Sequence, residues 1–302
     1  MGAGTVQSAT TKAIHYFRPS CLEHTLELLA QKQLTIVAGA TDLYPAKIAH
    51  NAWGNWRQQA LLDISGLSEL QGISDRNSHF RIGALTTWSH IAQAALPAYF
   101  TSMQQAAQSI GSLQIQNRGT IGGNICNASP AADGIPALLC LEAQVELSSQ
   151  SGVRVLRLDE FVLGYRKTVL QEDELVTAII IPKLAGRALS GFEKLGSRSS
   201  LVISIVMVAL VLVINKQQQI EDIRLAIGAC SEVAQRMSAL EAVLKGHTCG
   251  AELAKLITSA HFSGLTPIDD MRASAHYRRH CAEEISRRLL LSLCQQQKCH
   301  HA

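Results

Sequence analysis

At 302 residues, with 47% hydrophobic and 17% charged residues, the chain has a globular composition and length enough for two cores. A formal net charge of +3 is small for that length and excludes a general electrostatic attraction to nucleic acid or to an anionic membrane. Eight cysteines accompany a polar, mixed start from Met1 to Ser20 with no apolar signal core, so the expected location is cytoplasmic and the expected thiols reduced.

In chain order, Ser20 with Glu23 has the capping-box pattern, and Leu22, Leu26 and Leu29 then recur at helical spacing to about Gln31. Leu34 to Ala38 is a short strand that delivers a small-residue turn at Gly39. Leu61-Leu62 with Ile64, Leu70 to Ile73 and Phe80 to Ile82 are short strands of an expected mixed sheet. Thr86 or Thr87 caps a helix through Ile91, and Ser102 caps another through about Ile110. Ile135 to Leu141 is a short helix, and Val145 to Leu147 with Val153 to Leu156 form a hairpin. The strand Val176 to Ile181 ends at Pro182, and a domain boundary is expected across Pro182 to Ala188.

Beyond it, the apolar run Leu201 to Ile214 is shorter than the ~20 residues of a membrane-crossing helix and is rich in β-branched residues, so it is expected as a buried strand. Ile223, Leu225 and Ile227 alternate as a partner strand with one buried face. Helical patterns follow at Ala234 to Lys245 and Ala251 to Ser259, and Tyr277, Cys281, Ile285, Leu289 and Leu293 mark the seam of a final helix. Arg278, Arg279, Arg287 and Arg288 spread around that helix and are expected on a solvated surface.

Two stretches carry the chemistry. Arg118 to Asp133 packs Gly119, Gly122 and Gly123 among small hydrogen-bonding residues, and Ile36 to Leu43 places Gly39 at the end of a strand. Glycines there let consecutive amides approach one bound group, and two such turns suit the paired phosphates of a dinucleotide. Neither stretch has G-x-x-x-x-G-K-[ST] or G-x-G-x-x-G, which disfavours the common nucleotide folds.

Together, Ala38-Gly39-Ala40-Thr41-Asp42, Thr120-Ile121-Gly122-Gly123-Asn124, Ala128-Ser129-Pro130 and Asp133 resemble the FAD-binding subunit of the xanthine dehydrogenase (molybdenum hydroxylase) family. The likeness runs from about Phe17 to Leu293. Gly164-Tyr-Arg-Lys-Thr168 and Asp270-Met-Arg-Ala-Ser-Ala275 look most like xanthine dehydrogenase itself. The resemblance implies an α+β fold: a two-subdomain FAD-binding domain of the PCMH/vanillyl-alcohol-oxidase-like kind over 1–185, then a smaller α+β domain with an antiparallel sheet over 186–302. It implies electron transfer from a [2Fe-2S] subunit through FAD to NAD, with substrate oxidised at molybdopterin in another chain. It also implies a heteromeric assembly, a dimer of heterotrimers. No C-x-x-C pair or four-cysteine cluster motif occurs in this chain, so the cluster belongs to the partner.

Carried over residue by residue, Ile36, Val37, Ala38, Gly39, Ala40, Thr41, Asp42 and Leu43 form the first phosphate turn, and Thr120, Ile121, Gly122, Gly123 and Asn124 the second. Asp133 accepts from ribityl or ribose hydroxyls or braces its loop. Lys194 supplies positive charge near the flavin ring. Val176 meets the ring edge, and Ile110 stands where vertebrate enzymes have an aromatic ring cover. Cys126 is expected as a buried structural thiol, and Cys294, Cys299, His300 and His301 as no metal site. Tyr165-Arg166-Lys167 is either a solvated edge or a face toward nicotinamide or a partner. Two other readings stay open: a stand-alone flavin oxidoreductase, and a nucleotide-binding assembly module without redox chemistry.

Overall fold

The structure, a computed structural model, describes residues 15–43, 60–199 and 201–299. β1 (Tyr16–Phe17), α1 (Leu22–Gln31), β2 (Thr35–Val37) and β3 (Leu61–Asp63) open the chain, the strands forming a parallel sheet in the order β1-β3-β2. α1 buries Leu28 and Leu29 against Leu62, Ile64 and Leu67. The expected Ser20 capping box does not form. Cys21 occupies the cap position without a side-chain bond, and the Leu22 amide instead donates to the Glu69 carboxylate at 2.6 Å, where an anion also suits the helix dipole.

β4 (Ile73–Asp75) and β5 (His79–Gly83) join a second sheet and not the first, which corrects the expectation of one mixed sheet. Between the sheets, Ser68–Leu70 forms a 3₁₀ turn in place of an extended piece. A Cβ on Gly83 would overlap the Leu70 carbonyl, so glycine lets β5 cross directly against that turn. Five short helices follow: α2 (Trp88–Gln93), α3 (Thr101–Ser109), α4 (Leu113–Arg118), α5 (Ile121–Asn127) and α6 (Gly134–Cys140). Thr87 caps α2 through the His90 amide, as its sequence suggests. Ser102 does not cap α3: it is already the second residue of the helix, whose cap is Phe100, and its amide donates to Ser190 Oγ at 2.8 Å, a residue from the second half of the chain.

β6 (Gln144–Ser149) and β7 (Gly152–Arg157) form the expected hairpin. After α7 (Leu158–Phe161), the small hairpin β8 (Val162–Gly164) and β9 (Lys167–Thr168) leads to β10 (Leu175–Pro182). The second sheet is antiparallel throughout, in the order β4-β5-β10-β6-β7.

β11 (Arg187–Leu195), β12 (Val206–Ile214), β13 (Ile220–Gly228) and β14 (Gln235–Arg236) make a third, antiparallel sheet. All of β12 is buried, and its side chains divide strictly by parity. Met207, Ala209, Val211 and Val213 enter the core shared with α3 and α6, while Val208, Leu210, Leu212 and Ile214 enter a second core. A central strand covered on both faces explains an apolar run without alternation. The strand starts later than expected: Leu201 and Ile203 precede it, each more than half exposed.

α8 (Ser238–Leu244), α9 (Leu253–Leu256) and α10 (Ala275–Cys299) cover the far face. Cys281, Ile285, Leu289 and Leu293 form the buried seam, whereas Tyr277 is exposed. No helix among the described residues is long and apolar enough to cross a membrane.

Of the α10 arginines expected on a solvated surface, Arg279 and Arg288 are exposed, whereas Arg278 is buried and Arg287 half-buried. Arg278 is only 3% exposed; it pairs with Asp270 at 2.8 Å and donates to the Ile205 carbonyl at 2.7 Å. Arg279 donates to the Leu265 carbonyl, Arg287 to those of Ala254 on α9 and of Ile257, and Arg288 pairs with Glu193 on β11. Burial alone would raise the Asp270 carboxyl. Donors outweigh it, namely the Arg272 and Ala273 amides and the Arg272 and Arg278 guanidinium groups, and hold it down to about 2. A lowered folded-state value stabilises above the unfolded range and is lost as pH falls through the folded value. Unfolding curves should therefore show wild-type protein losing an increment between about pH 4 and pH 2 that Asp270→Asn already lacks. Parallel pH profiles for the two would refute this role for Asp270.

Candidate functional site

The two motif stretches meet. The turn after β2 crosses the C-terminal end of α4 so closely that a Cβ on Gly39 would overlap the Arg118 carbonyl. On α5, a Cβ on Gly122 would lie 2.8 Å from Ala84 Cβ and from its carbonyl oxygen. Neither glycine has a positive φ, nor do Gly119 and Gly123. Space for neighbouring atoms, and not an unusual backbone angle, is what requires glycine at 39 and 122. The left-handed position in the first turn belongs to Ala40, at φ 62°.

Between these segments and β10 lies a cleft of about 530 Å³, within the ~300–1,000 Å³ of small-molecule and cofactor sites. Of the residues proposed from sequence, Ile36 to Leu43, Ile110, Thr120, Gly122, Gly123, Asn124 and Val176 all line it. Ile121 does not; its side chain is fully buried in the core beneath α5.

The second motif is a capped helix rather than an open loop. Thr120 Oγ1 accepts from the Gly123 amide at 3.1 Å. The Ile121 and Gly122 amides donate to the Thr86 and Ala84 carbonyls, and the Asn124 amide to the Thr120 carbonyl. Amides expected to face a diphosphate there are thus committed within the protein. The first turn differs: the amides of Gly39 to Asp42 donate to no acceptor among the described residues. Asn124 Oδ1 is buried without a hydrogen-bond partner, a state that folded proteins rarely leave unsatisfied. Free amides on one side and an orphaned side-chain oxygen on the other fit a ligand with phosphates and hydroxyls.

Asp133 and Lys194 lie behind the cleft wall and line none of it. Lys194 Nζ sits 2.7 Å from Asp133 Oδ2 and 3.2 Å from the Ser109 carbonyl, while Ser204 donates to Asp133 Oδ1 at 2.6 Å. Burial pushes the Asp133 carboxyl up, and the charge and hydrogen bonds of Lys194, with Ser204, offset only part of that. Cys126 lines the cleft, half-buried, and burial pushes its thiol up to about 12.

Sequence reasoning missed Trp88 and Gly134 as site residues. The Trp88 ring lines the cleft and occupies the space where a Cβ of Gly134 would stand; Asn124 Oδ1 lies 2.9 Å from the same point. The glycine directly after the second motif, next to Asp133, was the available signal.

With fold and cleft in place, comparison with known proteins is decisive. The model of the FAD binding domain in molybdopterin dehydrogenase matches residues 11–184, and that of the CO dehydrogenase flavoprotein C-terminal domain matches residues 192–293. The glyceraldehyde dehydrogenase medium chain of Sulfolobus acidocaldarius is 34% identical over 87% of this chain and 92% of its own. The nicotine 6-hydroxylase medium subunit of Paenarthrobacter nicotinovorans is 28% identical over 92% and 96%. Among solved structures, carbon monoxide dehydrogenase from Hydrogenophaga pseudoflava superposes with a TM-score of 0.81 at 27% identity, covering 92% of this chain and 96% of that one.

The fold and cleft are those of an FAD-dependent oxidoreductase of the PCMH type. The chain belongs to the family of FAD-binding subunits of molybdopterin dehydrogenases, flavoproteins that transfer electrons.

Proposed function

We propose that this chain is the FAD-binding electron-transfer subunit of a xanthine dehydrogenase-type molybdenum hydroxylase, receiving electrons from a [2Fe-2S] subunit and delivering them to NAD. The observation that carries this reading is the pairing of unsatisfied amides at Gly39 to Asp42 with the orphaned Asn124 side chain across one cleft. When bound, FAD supplies an exchange of electrons one or two at a time.

The chain's own residues bind and orient. Amides of Gly39 to Asp42 and the Thr41 hydroxyl hold the phosphates, and Thr120 and Asn124 take ribityl or ribose hydroxyls. Ile110 and Val176 give the ring an apolar seat that excludes water. Asp133 and Lys194 fix that seat from behind: Lys194 holds the Ser109 carbonyl, and Ile110 follows directly. The division into units 1–185 and 186–302, the molybdopterin subunit that oxidises the substrate, assembly as a dimer of heterotrimers and a cytoplasmic location complete the proposal.

Purified chain incubated with FAD and desalted should retain one flavin per chain, and NADH should bleach its visible absorbance. Co-expression with the two partner subunits should be needed for substrate turnover. Colourless protein after FAD incubation would refute the flavin reading, and turnover by this chain alone would favour a stand-alone flavin oxidoreductase.

A further inference from the structure

A second cavity has no task in the flavin site described so far. The flavin cleft lies between the Gly39 crossing and β10, whereas this one, of about 220 Å³, lies between the same crossing and Ser65, Gln71, Thr87 and His90. Ala38, Gly39, Leu85 and Thr120 form the wall common to both.

What the other walls offer is donors. Thr87 Oγ1 already accepts the His90 amide at 3.3 Å, so its hydroxyl proton is free to give. Asn117 Oδ1 accepts from Ser89 Oγ at 2.5 Å, which leaves both protons of the Asn117 side-chain amide. Gln71 Nε2 spends one proton on the Ser65 carbonyl at 3.4 Å and keeps the other. The Arg118 guanidinium, on the last residue of α4, and the His90 ring have no hydrogen-bond or ion-pair partner among the described residues.

No acidic side chain lines the cavity. Asp63, whose carboxylate accepts the Ser65 amide from outside it, is held by Tyr16 and Arg18. A cation would need carboxylates here, and a sugar would need acceptors as well as donors. A guanidinium, an imidazole and several spare protons suit a tetrahedral oxyanion, whose oxygens chiefly accept. Size narrows the class further. The volume falls below the ~300 Å³ at which cofactor sites begin, so a phosphate group with its first waters fills it and a second nucleotide does not.

We propose that this cavity is a phosphate site, taking inorganic phosphate or the phosphate end of a small monoester, and that its occupant opposes FAD. Arg118 pairs with two of the phosphate oxygens, and Asn117 and Thr87 donate to the others. Gly39 and Thr120 stand between this anion and the flavin diphosphate, so two like charges face each other across one turn and each weakens the other's binding by the same factor. The coupling rests on the flavin reading above; the site itself does not.

Phosphorus NMR titration of the FAD-loaded full chain tests the site, because the flavin then fills its own cleft. Wild type should bind inorganic phosphate saturably, with a Kd of about 1 mM or tighter. Asn117→Asp keeps the acceptor for Ser89 and puts a carboxylate into the cavity, and Arg118→Gln removes the cation. Each should bind phosphate at least about tenfold more weakly. Asn117 does not line the flavin cleft, so the FAD content of Asn117→Asp should match wild type. At constant ionic strength, saturating phosphate should raise the Kd of FAD about threefold in wild type and leave it alone in Asn117→Asp. Tighter binding of glycerol phosphate than of phosphate assigns the site to a monoester, and equal binding assigns it to the free ion. No saturable phosphate binding by FAD-loaded wild type, or equal binding by Asn117→Asp, overturns the site. A phosphate effect on FAD that is the same in both proteins is direct competition in the flavin cleft and overturns the coupling. Wild-type protein that takes up no FAD removes the flavin reading and the coupling with it, while phosphate titration of wild type against Asn117→Asp still decides the site.

Discussion

Gly39→Ala is expected to abolish FAD binding at any practical concentration, a loss of more than about 100-fold in affinity. The new Cβ would overlap the Arg118 carbonyl, and both partners are backbone, so no side-chain rotation relieves the contact. The turn and the end of α4 must separate, which moves the amides of Gly39 to Asp42 away from Thr120 and Asn124. Overpacking of this kind costs about 1–3 kcal/mol in ordinary cores, where side chains can yield, and more where they cannot. Gly72→Ala is the control. Gly72 has φ 88° with nothing near its missing Cβ, so alanine there costs about 1 kcal/mol of stability and leaves flavin affinity alone. Fluorescence titration with FAD measures both variants. If Gly39→Ala binds FAD like wild type, the crossing at Arg118 is not the flavin's cradle.

That prediction could not have been made from sequence. Composition and motif order were enough to bring residues 36–43 and 120–124 to one cleft, because small residues after a strand and before a helix have few other uses. The reason for each glycine was hidden: the usual explanation is backbone freedom, whereas Gly39 and Gly122 are defined by atoms of residues distant in the chain. Long-range packing also concealed β11. Ser190 and Gly191 break its apolar pattern because one accepts the Ser102 amide and the other receives the Leu289 side chain. Arg278 was misjudged for the same reason. Charge spread around a helix signals solvent only if nothing packs there, and the carbonyls of Ile205 and Ala229 do. The alternating and apolar runs of β12 and β13 were legible because strand burial follows local pattern.

The contacts that join the two halves carry the second large effect. Alternate residues of β11 face α3: Ser190 accepts from Ser102, the Phe192 amide donates to Gln105, and Lys194 reaches the Ser109 carbonyl and Asp133. The ion pair is nearly closed to solvent, with side-chain exposures of 12% for Lys194 and 9% for Asp133. Lys194→Met is expected to destabilise the protein by about 3 kcal/mol, since removing one partner leaves a buried charge uncompensated. Asp133→Asn with Lys194→Met should recover much of that loss, because no lone charge remains. Burial already raises the Asp133 carboxyl, and removing Lys194 raises it further. A carboxyl raised in the folded state favours folding below its unfolded value, and that contribution is lost as pH rises through the folded value. The gap between wild type and Lys194→Met should therefore be small in acid and reach its full size near neutral pH. Urea unfolding of wild type and both variants across that range tests the sign. A stability difference that does not vary with pH, or a double variant as weak as the single one, would exclude this role for the Asp133–Lys194 pair. Unchanged stability with an altered flavin potential would instead place Lys194 against the ring.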